Sequence, residues 1–161
     1  MNATMLKAAI AFVPASLIFV GAVIAASFFS ACAPTPMSQS LVSLVTSLTG
    51  NDGSIGTEHP GTMPRFSDGP TIVATVSTDM VVAGGSNTLE LQSREPFQTV
   101  YMSVTGLDGF FDLHLSSATS DATVTLSIAS GVPSCAFQGV WTVASPYGLV
   151  GNPLTDLWGI H

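Results

Sequence analysis

The chain has 161 residues, of which only 8% are charged, with three Lys or Arg against ten Asp or Glu. Hydrophobic residues make up 47% and the mean hydropathy is +0.52, so part of the chain is suited to lipid and a disordered acidic tail is excluded. Nucleic-acid binding is excluded too, because displacing counterions from phosphates takes clustered cations and the chain has only Lys7, Arg65 and Arg94.

The first element is an apolar run from Ala8 to Phe29, inside a stretch without charge that extends from Ala8 to Asn51. A helix over that run is about 33 Å long, enough to cross a hydrocarbon core of about 30 Å. Pro14 kinks such a helix without forbidding it. Lys7 is the one positive side chain before Arg65, so the positive-inside bias leaves the N-terminus in the cytoplasm and the chain beyond about residue 32 outside.

Phe29-Ser30-Ala31-Cys32, followed by Ala33-Pro34-Thr35-Pro36, resembles the lipobox of bacterial lipoproteins, with Phe29 where that family usually has leucine. The resemblance implies that Cys32 is acylated and becomes the new N-terminus. The length of the apolar run favours an uncleaved anchor instead, because a secretory hydrophobic region is 7 to 15 residues long. Plain secretion is the third fate. The expected partners are the membrane, through residues 8 to 32, and another envelope protein. If Cys32 carries lipid, Cys135 is left as a small core residue; if not, the two cysteines are free to pair in an oxidising compartment.

Residues 33 to 70 hold five prolines and several glycines, the composition of a tether between the 1 to 32 segment and a domain spanning 71 to 161. Within it Leu41, Leu44, Val45 and Leu48 fall at i, i+3, i+4 and i+7, which predicts a short amphipathic helix at about 39 to 49. Residues 51 to 70 read as mostly irregular.

Beyond Pro70 the period changes to two. Alternation predicts half-buried strands at 98 to 105, 110 to 116 and 122 to 129, and four more at 71 to 77, 80 to 83, 88 to 92 and 136 to 144. About seven short strands at intervals near ten residues describe an all-β, antiparallel, Ig-like sandwich. Its expected core is Val100, Met102, Val104, Phe111, Leu113, Leu115, Val124, Leu126, Ile128, Phe137 and Trp141, with an irregular tail that includes Trp158.

Chemistry-bearing residues are sparse. Asp112 and His114 share a strand face, with Asp108 in the preceding turn, and a carboxylate-oriented imidazole built from them is the one route to a small envelope hydrolase. Alternation turns that face to solvent, so an ordinary polar surface explains the same residues. Asn51-Asp52-Gly53-Ser54 with Glu58 offers oxygens for calcium, but lacks the spacing of an EF-hand and doubles as ordinary turn chemistry. Tyr101, Trp141, Tyr147 and Trp158 are the rings available to a sugar- or peptide-binding platform. No cofactor is implied. The expectation is a membrane-tethered module outside the cytoplasm that acts by structural support, display or protein contact; the ten acids, all beyond residue 50, hold it off anionic headgroups.

Overall fold

The structure, a computed structural model, describes residues 44 to 76, 78 to 104 and 109 to 161. They form eight strands: β1 (Val45–Gly50), β2 (Thr57–His59), β3 (Ile72–Val76), β4 (Met80–Val81), β5 (Ser86–Val104), β6 (Phe110–Ile128), β7 (Cys135–Ala144) and β8 (Leu154–Ile160). There is no helix among the described residues. The apolar run at 8 to 29, Cys32 and Asp108 lie outside them.

The strands join in one sheet in the order β1-β6-β5-β7-β8-β4, with β2 on β6 and β3 on β5. Every pairing is antiparallel except β4 with β8, where Met80 and Val81 run parallel to Gly159 and Ile160. The sheet is therefore mixed, because a strand that returns from β3 to the far side of β8 arrives in the same direction as the chain end.

Two 19-residue strands, β5 and β6, form the spine. They pair with each other at both ends, but between Gln92 and Thr99 the register shifts twice. Pro96 lies in this interval and has no N–H to donate to a ladder, so the break falls where the ladder is weakest. Each strand then changes its outer partner. The first half of β5 carries β3 and its second half β7; the first half of β6 carries β2 and its second half β1.

Alternation follows the same break. Leu89, Leu91 and Phe97 are buried in the first part of β5, and Val100, Met102 and Val104 in the second, so the inward positions change from odd to even numbers. On β6 the buried set is Phe111, Leu113 and Leu115, then Ala122, Val124, Leu126 and Ile128. These residues, with Leu48, Trp141 and Trp158, belong to one hydrophobic cluster. Fully burying a Leu or Val contributes about 1.5 to 3 kcal/mol, so this cluster dominates the stability. All the expected core residues are in it, save Phe137, whose side chain lies outside the description.

Three expectations are corrected. Residues 45 to 49 form a strand, not the last turns of a helix, with residues 39 to 43 outside the described set. The register of β1 against β6 shifts between Val45 and Ser47. That extra residue brings Val45 and Leu48, three apart and both buried, to the same face, which is how a bulged strand imitates helical spacing. Val45, Thr46 and Thr49 are β-branched and favour the extended form. Secondly, the C-terminal segment is not irregular, because Leu154–Ile160 pairs with β7 and Trp158 is 2% exposed. Thirdly, β1 and β2 fall within the segment read as a tether, so the sheet takes in residues well before 71.

Between β2 and β3 the chain is irregular but fastened. Ser67 and Gly69 donate backbone hydrogen bonds to the Val150 carbonyl, at 2.9 and 3.0 Å. Two glycines permit this crossing: a Cβ on Gly151 would lie 1.6 Å from the Pro70 carbonyl oxygen, and one on Gly69 would lie 2.1 Å from that of Leu149.

Candidate functional site

Asp112 and His114 sit on the outward face of β6, where Leu113 and Leu115 take the inward positions. Cross-strand pairing fixes their neighbours. Asp112 lies between Thr57 of β2 and Tyr101 of β5; His114 lies opposite Thr99; Phe110 lies between His59 and Ser103.

The carboxylate of Asp112 does not orient His114. Its Oδ1 stands 3.0 Å from Nε2 of His59, with about a third of the Asp112 side chain exposed. That nitrogen is shielded from solvent, but the geometry is not that of a hydrogen bond, so the contact is an electrostatic one that becomes an ion pair when the imidazole carries a proton. The His59 ring stacks on Phe110 at 5.2 Å, and Tyr101 meets Phe110 edge-on at 6.1 Å. His114 points elsewhere, with Nδ1 3.2 Å from the Thr99 hydroxyl. Burial, and then the negative charge of Asp112, push the Tyr101 phenol above its ordinary value.

His59 is thus the member of this cluster that sequence reasoning missed. It sits in a proline- and glycine-rich stretch, and its partner is 53 residues ahead on another strand, so no local spacing announces the pair. The arrangement offers a carboxylate-imidazole pair, an adjoining phenol and an aromatic floor on a sheet face. His114 meets the Thr99 hydroxyl, but Asp112 contacts His59 instead of orienting His114, so carboxylate, imidazole and hydroxyl do not line up as a relay.

The calcium candidate has another use. Asp52 Oδ1 accepts hydrogen bonds from the Ser54 amide at 3.0 Å and from the Ser54 hydroxyl, while Oδ2 accepts one from the Ser116 amide at 2.6 Å. These donors, the Ser54 hydroxyl first, hold the carboxyl well below the usual carboxylate range. Oδ1 thus closes the 50 to 54 turn on itself, and Oδ2 fastens the turn to β6. Among the described residues no three His, Cys, Asp or Glu side chains gather closely enough to hold a metal.

Of the four large aromatics, Trp141 and Trp158 are buried, Tyr101 is half-buried, and Tyr147 is 92% exposed. The rings do not make one platform. An open groove of about 750 Å³ lies elsewhere, between the 66 to 71 segment and the bend of β5, lined by Phe66, Asp68, Val73, Gln92 and Arg94 among others. Neither Asp112 nor His114 lines it. Cys135 is 4% exposed and disulfide-bonded.

No protein-family model matches this sequence, and no curated protein matches it.

Proposed function

We propose that the chain is a membrane-tethered module outside the cytoplasm, whose folded part works by structural support, display or protein contact. The observation that carries this reading is the disulfide at Cys135. Disulfides persist in oxidising compartments and are rare in the cytosol. The apolar run at 8 to 29 and the cation that precedes it supply the tether and the direction of export.

The length of the apolar run supports an intact anchor over lipoprotein processing, because a secretory hydrophobic region is shorter. Intact mass of the protein extracted from membranes tests it: the expected product is full length. A product that begins at Cys32 with added acyl mass overturns the anchor reading.

The fold is further inferred to be an Ig-like β-sandwich. Support comes from the exchange of partners at the middle of β5 and β6 and from the single hydrophobic cluster fed by both halves of each strand. For the outward face of β6, replacing Asp112 and His114 together by Ala is expected to leave stability and partner capture almost unchanged. Loss of a measurable turnover in a folded double variant would overturn the non-enzymatic reading.

A further inference from the structure

The open groove of about 750 Å³ beside the bend of β5 falls in the size range of small-molecule sites, and both of its walls are fixed. One wall is the 66 to 71 segment. Ser67 and Gly69 donate to the Val150 carbonyl, and the Val150 amide donates back to the Ser67 hydroxyl at 2.8 Å. Between these two anchored residues Asp68 has a φ of 58°, the one positive value among the described residues other than glycine, so the fold holds an acid in the left-handed conformation at the groove. The other wall is the β5 bend, where the Ser93 hydroxyl accepts from the Glu95 amide at 3.2 Å and closes a short turn ahead of Pro96. Val73 and Gln92, directly opposite each other on β3 and β5, also line the groove.

The polar side chains of this groove are not paired with one another. Asp68, Gln92, Arg94, Glu95 and Asn152 line it, and none of these five side chains makes a hydrogen bond or ion pair with another described residue, although Arg94 shares the groove with two carboxylates. Phe66 sets an aromatic ring among them, 49% exposed. We propose that the groove binds a neutral oligosaccharide. A sugar hydroxyl both donates and accepts, which suits carboxylates that accept, a guanidinium that donates and amides that do both. The C–H face of a sugar ring covers the apolar surface that Phe66 and Val73 otherwise leave in water.

Other ligand chemistries fit less well. An anion meets the charges of Asp68 and Glu95, a cation meets that of Arg94, and a neutral chain meets no like charge. A peptide draws on successive apolar anchors, whereas Phe66 and Val73 are the only apolar side chains in the lining. Because both walls are held before any ligand arrives, little ordering is lost on binding. Saccharide binding goes beyond the display role proposed above and needs only the folded part of the chain, so it stands whether or not residues 8 to 29 anchor it.

The test is calorimetric titration of the full chain, in a detergent without a sugar headgroup, with cellohexaose, xylohexaose, laminarihexaose and chitohexaose. At least one should bind with a Kd below about 1 mM, and added salt should leave that affinity unchanged, because the ligand carries no charge. Phe66→Ala should weaken binding about tenfold or more and Asn152→Ala about threefold or more. Both positions are exposed, so a folded protein tolerates these changes, which thermal melting checks. Tyr147→Ala removes a more exposed ring that does not line the groove, and should change nothing. Failure of all four sugars to bind overturns the proposal, as does binding that Phe66→Ala and Asn152→Ala leave untouched or that Tyr147→Ala weakens equally. Binding of glycine betaine that salt weakens, or of an extended peptide, with no sugar bound would assign the groove to a zwitterion or a peptide and overturn the saccharide reading.

Discussion

Asp52 illustrates how a single side chain changes meaning once its partners are known. As a member of an Asn-Asp-Gly-Ser turn it offers oxygens to a cation; in the structure those oxygens receive the Ser54 and Ser116 donors. Its folded-state pKa is depressed, so its contribution to stability is present above the unfolded value near 3.9 and is lost as pH falls toward the folded one. Asp52→Asn should therefore lower the melting temperature at pH 7, and the gap from the unaltered protein should narrow below about pH 4. A gap independent of pH would show that the carboxylate charge is not what matters. On the β6 face, a double-mutant cycle should find about 0.2 to 1 kcal/mol of coupling between His59 and Asp112, as for partly exposed pairs, and none between Asp112 and His114. Gly151 is a harsher case, since the Cβ of an alanine would fall on the Pro70 carbonyl. Denaturation of Gly151→Ala should reveal a loss at or above the upper end of the roughly 1 to 3 kcal/mol that overpacking costs.

Among the elements, the strands with clean alternation were legible and the interruptions were not. Val124, Leu126 and Ile128 face the core as their spacing requires. Leu126→Ala should cost about 2 to 5 kcal/mol, whereas Thr125→Ala, half-buried beside it, should be nearly silent in the same denaturation experiment. The opposite ranking would mean that the register is wrong. Reading 88 to 92 and 98 to 105 as separate strands follows from the change of phase around Pro96, which looks like a strand end and is a bend inside one long strand. The bulge in β1 misled in the opposite direction, by converting a period of two into a spacing of three. β8 was missed because Gly151 and Pro153 precede it, Gly159 interrupts it and its pairing with β7 is tertiary. Of the candidate site, sequence alternation gave the face that Asp112 and His114 share, while the contact that matters to Asp112 comes from a three-residue strand with no pattern of its own.

At the scale of the molecule, one cluster of buried side chains draws on β1, β3, β4, β5, β6, β7 and β8. Such a core should give one cooperative thermal transition, with Leu126→Ala and Trp141→Ala each lowering the same midpoint, although the two residues lie on different strands. Two separate transitions would mean that the halves of the β5–β6 spine are independent. The parallel contact of Met80 and Val81 with Gly159 and Ile160 adds a constraint in time. A chain leaving the ribosome N-terminus first presents β4 long before the strand it must lie beside. Until β8 emerges, Val81 and the surface that receives Trp158 stay uncovered. The sheet therefore completes itself only after β8 is made, and up to that moment the polypeptide is a substrate for chaperones and for any export channel that accepts unfolded chains.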